Sequence, residues 1–318
     1  MLKRFILIGF ILISVITGYA QDIDNTKPMY GNIEKTGKYK DADNEFVSAV
    51  LKQFGSKDSA CKIYVNYAWR HLFNNDKLSS IKRFNQAWML NPKNCDVYYG
   101  FYAYEMLENN QSEAEKYFEI GQGFDKNNKN GLKTIDLLTT LYAQRNQNMK
   151  VYELCFKMIK LDSTFFEPYR TLGYYYSLDN DSVNTLRYYN LAISKNPYDT
   201  LTIINRGCYY QSLKQYDKSL KDFEKVIEMN KNCLQGYSNR GLLHFVRENY
   251  DLAILDFEFL LKKVPDNEKG YYFRMIGLSK IKLNEKEDGC KCLKTAKKYG
   301  DNLLGNDSLK QLIKENCK

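Results

Sequence analysis

The 318 residues are 44% apolar and 14% aromatic, ample for a long buried seam, and five prolines leave helices largely uninterrupted. The formal charge of +9 is spread evenly instead of gathered in blocks, which argues against nucleic-acid binding. Strand-like alternation is scarce, so the expected class is all-α.

Residues 1–20 read as a secretory signal peptide: Lys3 and Arg4 form the charged start, Phe5 to Ile16 the apolar middle, and Gly18-Tyr19-Ala20 a small-x-small exit. The apolar run is shorter than the roughly 20 residues a bilayer span needs, and no cysteine stands at the exit for lipid attachment. The expected location is periplasmic or secreted, with no stable membrane span after cleavage. Residues 21–40 are polar, with Pro28, Gly31 and Gly37, and are expected to be a linker. Residues 41–60 should hold an N-terminal capping helix with Phe46, Val47, Val50, Leu51 and Phe54 on one face, Asp41 or Asp43 as N-cap and Gly55 as stop.

From Cys61 a 34-residue interval governs the chain. Gly173, Gly207 and Gly241 mark it, and Tyr189, Phe223 and Phe257 each follow a glycine by 16 residues. A small residue lets two antiparallel helices approach, and the aromatic on the second helix fills the gap. Arg206 and Arg240 precede their glycines, while Asp222 and Asp256 precede the aromatics, so intra-repeat ion pairs joining the two helices are expected. Asn75, Asn109, Asn146, Asn180 and Asn284, with Lys214 and Glu248, sit at the predicted joins within helix pairs, where Asn tolerates the turn conformation.

The pattern resembles the tetratricopeptide (TPR) repeat, in which Trp-x2-Leu-Gly-x2-Tyr on one helix precedes Ala-x3-Phe and then Pro. Tyr64, Tyr67, Ala68 and His71 occupy the first four slots of repeat one; Tyr98, Phe101, Tyr102 and Glu105 those of repeat two. Ile135, Leu138, Thr139 and Tyr142 mark a worn third repeat, Tyr169, Leu172, Gly173 and Tyr176 a clear fourth. Ile203, Arg206, Gly207 and Tyr210, then Tyr237, Arg240, Gly241 and His244, mark repeats five and six, and repeat seven carries Phe273, Ile276, Gly277 and Leu293. The resemblance implies an all-α, right-handed superhelix of seven TPR-like helix pairs over residues 61–303, with a C-terminal capping helix over 304–318. The segment Lys82 to Pro92, with Lys286 to Cys317, is similar to a group of exported bacterial cell-envelope TPR proteins without known catalysis.

Catalytic constellations are not evident. His71 and His244 fall in a packing slot of repeats one and six, too far apart along a solenoid to share a metal, and no phosphate loop or nucleophile elbow is present. The chain is therefore expected to be no enzyme and to need no cofactor or metal. Of the eight cysteines, Cys61 and Cys95 occupy equivalent places in adjacent repeats, beyond the ~7 Å reach of a disulfide. Either Cys290 or Cys292 can reach Cys317, but not both; the resemblance implies Cys290, while free buried thiols throughout remain the alternative.

In TPR proteins the first helices of successive repeats line a concave groove. Residues flanking the small slot would then face a partner: Arg170, Tyr174, Asn205, Gln211, Asn239 and Arg274. In-register asparagines flanked by arginines suit peptide amides and a carboxylate. The expected function is a non-catalytic scaffold of the cell envelope that binds a protein or peptide, and no nucleic acid. The alternative is a glycan- or peptidoglycan-binding envelope protein, for which 27 tyrosines and the positive charge speak.

Overall fold

A computed structural model describes residues 24–301 and 306–317; the signal-peptide segment 1–20 lies outside them. Among the described residues there are sixteen α-helices and no strand. The chain divides into two compact units, one ending at Leu141 and the other beginning at Tyr142.

The first unit contains α1 (Lys38–Phe54), α2 (Lys57–Phe73), α3 (Lys77–Leu90), α4 (Cys95–Leu107), α5 (Gln111–Phe124) and most of α6 (Lys129–Gln144). α2 pairs with α3 and α4 with α5. α1 packs on α2 through an edge-to-face contact of Phe46 with Tyr64 at 5.5 Å, and Gly55 ends it in the left-handed conformation. Its start differs from expectation: the helix begins at Lys38 behind Gly37, which places Asp41 and Asp43 inside it, and Asp43 pairs with Lys35 at 2.9 Å. The segment expected as a linker also docks. Tyr30 is buried against Trp88, and Asn85 donates a hydrogen bond to the Lys27 carbonyl at 2.9 Å.

This unit solves the close-packing problem away from the 34-residue register. The small slot of its second repeat holds Tyr102, fully buried, so the spacers are Gly100 against the Phe84 ring and Gly121 and Gly131 against Tyr99. Tyr99 donates to the Asp125 carboxylate at 3.1 Å, and the same carboxylate accepts the Asn130 and Gly131 amides at the start of α6. The asparagine-rich loop after α5 is thereby a capping device for the next helix.

The second unit holds α7 (Asn148–Leu161), α8 (Glu167–Leu178), α9 (Ser182–Lys195), α10 (Thr200–Ser212), α11 (Tyr216–Met229), α12 (Leu234–Val246), α13 (Tyr250–Leu261), α14 (Lys269–Lys282), α15 (Lys286–Tyr299) and α16 (Asn306–Asn316). Pairs α8–α9, α10–α11, α12–α13 and α14–α15 are antiparallel hairpins in which the expected contacts form. A Cβ on Gly173 would stand 2.5 Å from the Tyr189 ring, one on Gly207 2.7 Å from Phe223, and one on Gly241 2.9 Å from Phe257. Gly277 faces Gly289 and Leu293, so backbone meets backbone in the last pair.

Beside each of two spacers lies a bidentate ion pair. Arg206 donates through Nε and Nη2 to Asp222 at 2.9 and 2.6 Å, and Arg240 does the same to Asp256 at 2.9 and 2.7 Å. Burial opposes the Arg206 charge most strongly, but the hydrogen bonds and the charge of Asp222 together outweigh it and raise the pKa. The acid side chains are only 6% and 5% exposed, so removing one partner alone would leave a buried charge uncompensated and cost more than the loss of a solvated pair. All seven expected joins have positive φ: Asn75, Asn109, Asn146, Asn180, Lys214, Glu248 and Asn284.

Two stability outcomes are expected. Gly173→Ala should lower stability by about 1–3 kcal/mol by overpacking, despite the gain of up to ~1 kcal/mol in helix propensity. Gly123→Ala in α5, where a Cβ meets nothing within 4 Å, should be neutral or stabilising. Thermal and urea melts in which both variants shift alike would remove the spacer role. Separately, Asp256→Asn should cost roughly 1–3 kcal/mol, with a coupling to Arg240 above ~1 kcal/mol in a double-mutant cycle. Coupling near zero would place the pair with ordinary surface pairs.

Candidate partner-binding face

The first helices of the second unit, α8, α10, α12 and α14, carry all six residues expected to face a partner. The structure treats them in two ways. Arg170 is not free: its Nη1 donates to Asp199 at 3.1 Å, and Asp199 in turn caps α10 by accepting the Thr202 amide. Arg274 is tied to Asp301, whose carboxylate is fully buried. Both guanidinium groups therefore hold the next segment of the chain in place. The carboxylate-binding role expected for them is met internally.

Tyr174 remains 47% exposed, edge-on to Tyr175. Asn205, Gln211 and Asn239 are half-buried, and among the described residues their side chains make no hydrogen bond. Asn205 and Asn239 occupy one repeat position, two residues ahead of Gly207 and Gly241. Asn239 lines a cavity of about 380 Å³ together with Ser238, Leu242, Glu268, Tyr271 and Tyr272. Gly300 completes its wall. Gly270 admits this arrangement, since a Cβ there would collide with the Gly300 carbonyl. A cavity with tyrosine walls and an unpaired amide offers stacking surface plus one donor and one acceptor.

The first unit has a cavity of its own, about 330 Å³, on the corresponding helices α2, α4 and α6. Asn66, Trp69, Asp96 and Lys133 line it. Burial pushes the Asp96 carboxyl above its ordinary value, partly offset by Lys133. Asn66 stands two residues ahead of Ala68, the small slot of repeat one, and so holds the same repeat position as Asn205 and Asn239. Its side chain, too, has no hydrogen-bond partner among the described residues. Asn66, Tyr271 and Tyr272 are not among the residues expected on this face from the sequence. For Asn66 the signal is a fixed offset from Ala68; Tyr271 stands 34 residues after Tyr237, but the two-residue shift of repeat seven assigns that slot to Phe273 and leaves Tyr271 and Tyr272 outside the register.

The two histidines lie in different units. His71 shares a hydrogen bond with Asp76 at 3.0 Å across the α2–α3 join. His244 is buried in α12, its Nδ1 has no hydrogen-bond partner, and burial lowers its pKa. Cys290 and Cys317 form a disulfide, Cα to Cα 5.6 Å, while Cys61, Cys95, Cys155, Cys208, Cys233 and Cys292 are free thiols. Burial raises the Cys61 thiol to about 12.

No family model matches the chain. Over 84 residues it is 32% identical to Hsp70-Hsp90 organizing protein 3 of Arabidopsis thaliana, which covers 26% of this chain and 15% of that one. Over 127 residues it is 27% identical to a UDP-N-acetylglucosamine–peptide N-acetylglucosaminyltransferase of Giardia intestinalis, covering 40% of this chain and 8% of that enzyme. The chain thus spans only a small fraction of the length of these curated relatives. Among solved structures, the C-terminal part of a TPR repeat-containing protein from Cytophaga hutchinsonii is similar with a TM-score of 0.55 at 17% identity, over 78% of this chain and 99% of that one. The helix hairpins described above are the tetratricopeptide-repeat fold.

The lowered His244 pKa sets a pH dependence. The unfolded chain takes up the proton first, so this residue's contribution falls as pH drops below its ordinary value of 6.5. The melting temperature between pH 7.5 and 5.5 should therefore fall less in His244→Phe than in the parent protein. An unchanged slope would show that His244 is protonated without cost.

Proposed function

We propose that this chain is a non-catalytic scaffold that binds a protein or peptide partner through the faces formed by its first helices. The observation that carries the reading is the asparagine two residues ahead of the small slot. Asn66, Asn205 and Asn239 hold this position, have no hydrogen-bond partner among the described residues, and two of the three line a cavity. These amides are open to water, which a partner can displace, and an amide is matched in both donor and acceptor by a peptide backbone. The nearby arginines are already neutralised by Asp199, Asp222, Asp256 and Asp301. Recognition on this face accordingly rests on amide pairing and aromatic contact, with the cell envelope as the setting that residues 1–20 support.

A wall glycan is the alternative occupant, favoured by Tyr271 and Tyr272 beside Asn239. Cross-linking pull-down from intact cells supplies the partner, and a binding titration then compares Asn205→Ala/Asn239→Ala with the parent chain. The double variant should bind roughly tenfold more weakly, about 1.4 kcal/mol, with its melting temperature unchanged. Undiminished capture would move the site off this face. Calorimetric heat with wall fragments, lost in Tyr272→Ala, would decide for the glycan.

A further inference from the structure

The Cys290–Cys317 disulfide is not sealed in the interior. It forms part of the wall of a cavity of about 440 Å³ whose other lining residues are Lys286, Glu287, Lys291 and Lys294. Cys317 is half-buried and Cys290 nearly covered, so Cys317 is the more accessible residue of the bridge. Lys286 and Lys294 stand four residues before and after Cys290 on α15, hence one turn to either side on the same face. Lys291 is engaged by Asp288 at 2.9 Å, whereas Lys286 and Lys294 have no carboxylate partner among the described residues. Even counting Glu287 and Asp288, the cavity is net positive.

Cations beside a cysteine stabilise its thiolate, and a better-stabilised leaving thiolate speeds thiol–disulfide exchange. The same cations attract an anionic attacking group. We propose that this cavity is an exchange site for a small anionic thiol. The incoming thiolate attacks Sγ of Cys317 and forms a new S–S bond there. The Cys290–Cys317 bond breaks, and its electron pair leaves on Cys290 Sγ as a thiolate between Lys286 and Lys294. A second thiolate then attacks the small-molecule sulfur of the mixed disulfide, which releases Cys317 as a thiolate and the small thiol as its own disulfide. Two thiols are oxidised and one protein disulfide is reduced. Opening the bridge frees α16 from its covalent tie to α15, leaving noncovalent packing, with Leu309 at 0% exposure, to hold the helix.

The test treats the folded, full chain with glutathione, 2-mercaptoethanol and cysteamine, which are anionic, neutral and cationic, at matched thiolate concentrations. Opening is followed by alkylation and intact mass. At low ionic strength the glutathione thiolate should react at least about threefold faster than the neutral one, and cysteamine slowest. That preference should vanish near 0.5 M salt and in Lys286→Gln/Lys294→Gln, whose helix content circular dichroism verifies. Peptide mapping should place the first adduct on Cys317. Equal rates for the three thiols, a preference that survives the double substitution, a first adduct on Cys290, or a bridge that opens only on unfolding would each overturn the assignment.

Discussion

The approach of two helices at a residue without a side chain is the contact on which the second unit depends. At Gly173, Gly207 and Gly241 the first helix brings its backbone against an aromatic ring of the second, closer than any Cβ would permit. Once the backbones are that near, an arginine one residue before Gly207 or Gly241 reaches an aspartate one residue before the ring with both prongs of its fork. Steric spacing and charge pairing thus fix the same pair of helices from adjacent positions. Neither suffices alone: the ring without the spacer would push the helices apart, and the buried acid without the arginine would be an uncompensated charge.

That interlock fixes what the remaining faces of the first helix present. The ring consumes the position of the glycine and the aspartate consumes that of the arginine. The position two residues ahead of the small slot is spared by both contacts. Asparagine fills it in three repeats, and in each its side chain makes no hydrogen bond among the described residues. The first unit reaches comparable packing by other means, with Tyr102 in the small slot and displaced glycines around Phe84 and Tyr99. It nevertheless keeps Asn66 in the same place beside a cavity.

How much of this was legible depends on whether a contact obeys the 34-residue period. The spacers, the Arg206 and Arg240 pairs and most of the left-handed joins repeat with that period, with three extra residues before Asn146 and two before Asn284, so spacing located them. The partners of Arg170 and Arg274 lie 29 and 27 residues downstream, at the start of the next hairpin and beyond the last one. Nothing in the repeat names those acids, and both arginines therefore looked free. The same holds for Tyr30, whose partner Trp88 lies far along the chain, and for Lys35, which pairs with Asp43 from outside the helix. The cavity beside Asn239 was illegible for a related reason: its wall includes Gly300, brought there by the return of the chain after α15.

The fate of the arginines changes the chemistry of the proposed face. A groove with free guanidinium groups would select anionic termini and release them as salt rises. Here Arg170, Arg206, Arg240 and Arg274 each hold a carboxylate of their own chain, and the acids sit deeper than the bases that neutralise them. Breaking any of these pairs to admit a ligand would strand a buried charge. The uncommitted groups are amides and tyrosine rings, whose interactions are short-ranged and little screened. Selection on the proposed face would therefore work through the length and shape of what fits between the amides.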